Sequence, residues 1–204
     1  MKNLFFLLAL ILSFTACQEQ PTKIETAKAA VVVQQPTQST QPTQGYLPPG
    51  YPLELPIKTD YPYNIDLKTP DGEVLNSSKV FKQNGKPSVV MFWLTTCYPC
   101  GLELAAITKK FPQWQEEADF NLYAISTDFP KNAAKFTKRV KSGQWTFEAY
   151  HDYTRQFMKV MPAGLNGLPQ VFVFDKDGTI VYHKRKYKPG DEDVLFEKVK
   201  ALAK

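Results

Sequence analysis

Apolar residues are spread unevenly along this chain, and their period changes several times. Leu4 to Phe14 is an apolar stretch behind a short basic start, Met1-Lys2. From Gln18 to about Pro56 little could build a core. Val89 to Leu94 is again continuously apolar, too short to span a membrane and rich in β-branched and aromatic residues, so it predicts a fully buried strand of a mixed or parallel sheet. The period then becomes helical. Leu104, Ile107 and Phe111 fall at i, i+3 and i+7 and give one apolar face, with Lys109 and Lys110 near the expected C-terminus of the helix.

The same reading continues on both sides of this unit. Tyr63 to Leu67, the turn Thr69-Pro70-Asp71-Gly72 and Glu73 to Leu75 predict a β-hairpin, followed by a short helix near Ser77 to Gln83 that Asn84-Gly85-Lys86-Pro87 breaks. Phe120 to Ser126 alternates and reads as a strand. Asp128 and Pro130 are start signals for a helix with Ala133, Phe136 and Val140 inward and Ser142-Gly143 as its stop. Trp145 to Tyr150 predicts a strand, Asp152 to Met158 a short helix, and Val160 to Leu168 an irregular approach to Pro169. Val171 to Phe174 and Thr179 to His183 form a hairpin, and Asp191 to Ala203 a last helix with Leu195, Val199 and Leu202 inward. Elements in this order predict an α/β domain: a central mixed sheet of four or five strands flanked by helices, with an N-terminal β-hairpin extension.

The amino terminus alters the picture of where such a domain works. A basic start and a short apolar core have the form of a secretory signal, residues 1–16, rather than of a spanning helix. Ser13-Phe14-Thr15-Ala16-Cys17 resembles a lipoprotein processing box, in which Cys17 becomes the lipidated first residue of the mature chain and anchors it to a membrane without a transmembrane segment. Phe14 departs from the aliphatic residue usual there. Residues 17–56, rich in Gln, Thr and Pro, read as a tether extending on the order of 3 Å per residue where polyproline-like. Residues 57–204 then form one folded domain with a single good core.

Charge is less informative. The net charge of +5 specifies no partner. Lys131, Lys135, Lys138, Arg139 and Lys141 read as the solvated face of a helix, and His183 to Lys188 as a solvated strand end. Export argues against nucleic acid. His151 and His183 lie outside any thiol motif and read as surface or turn residues rather than ligands.

Cysteine carries the chemistry. Of three cysteines, Cys97 and Cys100 stand two residues apart where the buried strand gives way to the helix. Unpaired backbone N–H groups and the positive end of the helix dipole stabilise a thiolate there, so Cys97 is the acidic, exposed sulfur. Cys100, one turn further in behind Pro99, is more shielded and near enough to close a disulfide ring. The pair can cycle between dithiol and disulfide. Cys17 is accounted for by lipidation, and no thiol remains for a structural disulfide or for a four-thiolate zinc site within one chain.

Phe92-Trp93 in the strand, Cys97-Tyr98-Pro99-Cys100, and Glu103 three residues after the second cysteine resemble the TlpA/ResA-like thiol-disulfide oxidoreductases of the bacterial envelope, members of the thioredoxin superfamily. Gly167-Leu168-Pro169-Gln170-Val171-Phe172-Val173-Phe174-Asp175 resembles the family's cis-proline loop and following strand, and Asp177-Gly178-Thr179-Ile180 its hairpin turn. The resemblance runs from about Pro62 to the C-terminus and implies a thioredoxin-like fold. It also implies that Cys97 attacks a client disulfide and Cys100 resolves the adduct. Cytoplasmic thioredoxins keep a buried Asp where Met91 stands here, so Glu103, on the Cys100 face of the helix, is the candidate to accept the resolving proton and to raise the thiol pKa values. A cis Pro169 would face Cys97, and Leu168 would offer its backbone to an extended client. Tyr98 and Pro99 complete the expected client-facing set. Thr96 replaces the Trp common before the first cysteine, which leaves any aromatic shelf to Tyr98, while Trp93 reads as core.

The resemblance implies a lipid-anchored periplasmic protein disulfide reductase, on the inner or outer membrane, with no cofactor or metal beyond its redox-active pair. Its expected partners are disulfide-containing envelope proteins such as apocytochrome c, a membrane thiol that donates electrons, and the membrane through the lipid; it is expected to be a monomer. Three alternatives stand beside this: a disulfide oxidant or isomerase of the same fold, a non-catalytic envelope module that binds thiols or metal, and a thiol peroxidase. The last is disfavoured by Leu94, which stands where peroxiredoxins place Thr.

Overall fold

The computed structural model describes residues 52–204; the expected signal segment, the Cys17 lipidation site and the tether up to residue 51 lie outside the described residues. In chain order these form β1 (Ile57–Lys58), β2 (Asp66–Lys68), β3 (Val74–Asn76), α1 (Ser77–Val80), β4 (Ser88–Trp93), α2 (Tyr98–Glu117) and β5 (Asn121–Ser126). There follow α3 (Ala133–Ser142), β6 (Glu148–His151), α4 (Phe157–Val160), β7 (Gln170–Phe174), β8 (Thr179–Arg185) and α5 (Asp191–Leu202), with single 3-10 turns before α3 and after α4.

All six residues of β4 are buried, because both faces of this strand are covered. It pairs in parallel with β5 and antiparallel with β7, so the sheet is mixed, as expected. Val89, Met91 and Trp93 point to one side, where Leu104, Ile107 and Phe111 of α2, Phe136 of α3 and Leu195, Phe196 and Val199 of α5 close over them. Val90 and Phe92 point to the other, against Tyr63, Phe81, Phe157 and Met161. The order β1-β8-β7-β4-β5-β6-β2-β3 makes one sheet of eight strands. The N-terminal hairpin is thus part of the sheet, joined to β6 through the pair Lys68 and His151, and the two-residue β1 lies on the opposite edge against β8.

Three expectations need correction. Helix α2 does not end near Lys109 and Lys110 but runs through Pro112 to Glu117. Its final turn is held from outside, by Trp114 stacked on Phe196 at 4.9 Å, which offsets the hydrogen bond that proline cannot make. Lys110 instead pairs with Glu192 and Asp193 in the first turn of α5. Leu202 is 38% exposed, and Phe196 takes the inward place. The helix expected to reach Gln83 stops at Val80.

The β7–β8 turn shows why a glycine is needed. Asp175 accepts the amide hydrogens of Asp177 and Thr179, and Gly178 sits at φ +75° with its Cα against Tyr61, where a Cβ would come within 2.9 Å of the tyrosine Cβ.

Candidate active site

Strand β4 ends at Trp93, and Leu94-Thr95-Thr96 carries the chain into α2. The turn is closed by the Cys97 amide donating to the Leu94 carbonyl at 3.1 Å. Cys97 is the N-cap of α2, in extended backbone, and its sulfur accepts the Cys100 amide at 3.2 Å, as an oxygen does in ordinary capping. Pro99 in the first turn gives up an amide that would have no helical partner. The two cysteines are joined as a disulfide, with their Cα atoms 5.2 Å apart. Cys97 is half-buried, Cys100 is wholly buried in the core beneath α2, and Tyr98 is 78% exposed beside them. An attacking partner therefore meets Cys97 and not Cys100.

Asp128 fixes the approach to this pair. Its buried carboxylate accepts the Thr95 amide and the Thr95 hydroxyl, each at 2.8 Å, and the Ser126 hydroxyl at 2.7 Å. His151, expected at the surface, is 1% exposed, with Nε2 2.8 Å from the Asp128 carbonyl and its ring against Phe136. Asp128 was expected to start α3; it is spent on the loop before Cys97 instead.

Glu103 is also inside, 2% exposed, with Oε2 lacking any hydrogen-bond partner. Burial pushes its pKa up to about 8, the carboxylates of Asp191 and Glu192 add to the rise, and the Lys184 ammonium opposes it. At neutral pH the side chain mostly holds its proton. It follows Cys100 by three residues on the inner face of α2, so the helix brings the two to the same side.

The β4–β7 register pairs Phe92 with Gln170, which sets Pro169 and Leu168 beside the end of β4 that leads to Cys97. The Leu168–Pro169 peptide bond is cis, and the Pro169 carbonyl accepts the Lys186 amide. Neither the amide nor the carbonyl of Leu168 enters a hydrogen bond among the described residues. Gln170 steadies this loop: its amide nitrogen donates to the Asn166 carbonyl and its Oε1 lies 2.9 Å from His183 Nε2. With that oxygen as acceptor, His183 is the donor. Its ring is stacked on Phe172, and burial together with Arg185 pushes its pKa down to about 4. His183, expected at the surface, is half-buried.

The model of the AhpC/TSA family matches residues 59–183, from the segment before β2 into β8. The chain belongs to the AhpC/TSA family. It is 31% identical over 97 residues to the thiol-disulfide oxidoreductase ResA of Geobacillus thermodenitrificans strain NG80-2, a match that covers 47% of this chain and 52% of the relative. It thus spans about half the length of that curated protein. The solution structure of an uncharacterized thioredoxin-like protein from Porphyromonas gingivalis is 33% identical, with a TM-score of 0.59 over 69% of this chain and 90% of the other. A putative thiol:disulfide interchange protein DsbE from Chlorobium tepidum, at 20% identity, shares the fold with a TM-score of 0.60 over 75% and 100%. The resemblance to TlpA/ResA-like proteins and the thioredoxin-like fold class are thereby shown.

In this AhpC/TSA-family chain the expected residues fall in two neighbouring places: Cys97, Tyr98, Pro99, Cys100 and Glu103 on α2, and Leu168 and Pro169 on the loop before β7. Trp93 is core, as expected, in edge-to-face contact with Trp145. Sequence reasoning missed Asp128, Gln170 and His183. Polar residues at the ends of otherwise buried strands, as in Ser126-Thr127-Asp128, were the available signal. Among the described residues no cluster of side chains could hold a metal ion, and no helix is long and apolar enough to cross a membrane.

Proposed function

We propose that the chain is a membrane-anchored periplasmic thiol-disulfide oxidoreductase that reduces disulfides in envelope client proteins. The observation that carries this reading is the Cys97–Cys100 disulfide at the start of α2, with one sulfur reachable and the other sealed. In the reduced state, helix-end amides and the dipole favour the Cys97 thiolate. It attacks a client disulfide; a Cys97–client S–S bond forms, and the client's other sulfur leaves as a thiolate and takes a proton. Cys100 then gives up its proton and attacks the Cys97 sulfur. The Cys97–Cys100 bond forms and the client's second thiolate departs, so the client gains two electrons and the pair loses two.

In this proposal Glu103 takes the Cys100 proton in the minority of molecules where it is ionised, a role its burial three residues after Cys100 supports. In the same proposal Leu168 receives the client as an extended strand, which its unpaired backbone among the described residues supports. Two electrons and two protons from a membrane thiol donor return the pair to the dithiol, because the envelope itself is oxidising. Lipidation at Cys17 supplies the anchor in this proposal, and apocytochrome c is one candidate client.

A Cys100→Ser variant, expressed full length in envelope-bearing cells, is expected to accumulate mixed disulfides between Cys97 and envelope proteins that a Cys97→Ser variant does not form. No Cys97-dependent adduct with any envelope protein would overturn the reading. Direction is decided by the reduction potential: near −270 mV, about that of thioredoxin, for a reductase, and near −120 mV for an oxidant. Peroxide consumption faster than disulfide reduction would point to a thiol peroxidase, and Cu(I) binding without disulfide reduction to a metal-binding module.

A further inference from the structure

Between the first turn of α2 and the C-terminal half of α3 lies an open cavity of about 430 Å³, walled by Trp93, Thr96, Cys97, Tyr98, Leu102 and Arg139 among others. Arg139 was read from the sequence as one of several cations on a solvated face. It is distinguished from them by place. Its guanidinium lies over α2 so closely that a Cβ on Gly101 would come within 3.1 Å of Nη2. Among the described residues no carboxylate comes within 4 Å of it, as is also true of Lys135 and Lys138 on the same helix and of Lys131 just before it, so its place over α2 and in the cavity wall is what sets it apart.

Other polar groups of the wall can donate too. Trp93 carries a buried Nε1–H with no acceptor. The Thr96 hydroxyl is exposed and makes no hydrogen bond, and the α2 N-terminus presents its positive end at the same place. The buried Asp128 carboxylate behind Thr95 is taken up by Thr95 and Ser126. A cavity that opens beside Cys97 and holds a guanidinium without a carboxylate partner, together with hydroxyls able to donate, is complementary to an anion.

We infer that this groove is a specificity site in which Arg139 binds a carboxylate of the client, carried on the segment that flanks its disulfide. The inference rests on the disulfide-reductase reading and names the client class that reading leaves open: disulfides with an acidic neighbour. Tyr98 and Leu102, both exposed, supply apolar walls for the rest of that segment. Arg139 does not touch the reacting sulfurs in this scheme; it holds the client so that its disulfide meets Cys97.

Three small disulfides that differ in charge isolate the effect: dithiodiglycolate, a dianion; hydroxyethyl disulfide, neutral; and cystamine, a dication. Full-length protein reduced beforehand and freed of reductant is mixed with each, and the second-order rate constant for Cys97 is taken from a single turnover. Any influence of Arg139 on the acidity of Cys97 multiplies all three constants alike and cancels in their ratios. The wild type is expected to favour the dianion over the neutral disulfide. Arg139→Gln is expected to lower that preference roughly fivefold, as for one exposed ion pair, and added salt to shrink it. Lys138→Gln, the same charge change next door but outside the groove, is expected to leave it unchanged.

A ratio that Arg139→Gln does not move, or that Lys138→Gln moves equally, overturns the groove assignment while leaving the reductase reading intact. Failure of wild-type protein to react with any of the three disulfides overturns the reductase reading itself.

Discussion

Asp128 shows how much one buried side chain can organise. Its carboxylate gathers two hydroxyls and an amide from two different segments, and the segment it grips is the one that delivers Cys97. Truncation would leave those donors inside the protein without an acceptor. Asp128→Ala is expected to lower the unfolding free energy by about 2–4 kcal/mol, the cost of stranding several buried donors, as measured by denaturant titration of the oxidised protein. A change under about 0.5 kcal/mol, the range for surface substitutions, would mean that water replaces the carboxylate and that the clamp is dispensable. Residue type alone made Asp128 look like a helix start, because Asp before Pro fits that role. Its actual partner, Thr95, is 33 positions away, and no local pattern could point there.

At the scale of elements, α2 is the longest helix among the described residues and the one that joins the site to the core. Its outer end carries the sulfurs, and its inner end is fastened to α5 by the parallel stack of Trp114 on Phe196. Pro112 would otherwise favour an earlier stop. Trp114→Ala is expected to destabilise the domain by about 3–5 kcal/mol and to speed amide exchange in residues 113–117 and in α5, with α3 less affected. Equal loss of protection throughout would mean that the stack is ordinary core and not a local fastening. The start of α2 was legible from sequence because strand period, helix period and the Cys-x-Pro-Cys spacing all change within a few residues. Its end was not, because what extends it is a contact with a helix almost eighty residues later.

Across the whole molecule, buried titratable groups set a pH profile. Glu103 is raised from 4.5 to about 8, so the folded state keeps a proton that the unfolded chain releases; its contribution is complete below about pH 4.5 and is lost as pH rises to about 8. His183 is lowered from 6.5 to about 4, so its contribution is present above pH 6.5 and is lost as pH falls to about 4. The two slopes oppose each other between about 4.5 and 6.5, and from there to about 8 the Glu103 slope is no longer opposed by that of His183. The melting temperature is expected to fall between pH 6.5 and 8 in the wild type and to stay nearly level in Glu103→Gln, measured by calorimetry. A wild type that is level over that range would place the Glu103 carboxylate in contact with water. Neither histidine's burial was legible, because it depends on how distant strands align: His183 lies opposite Phe172 and His151 opposite Lys68. Strands β4 and β5, by contrast, could be read from a continuous apolar run and from alternation. The sheet those strands belong to ends in very short ribbons, two residues of β1 on one side and three of β3 on the other. Ribbons that brief offer a passing unfolded chain almost nothing to zip onto. For a protein whose proposed work is to handle partly folded neighbours, brief rims of this kind leave little for a guest to be collected on idly.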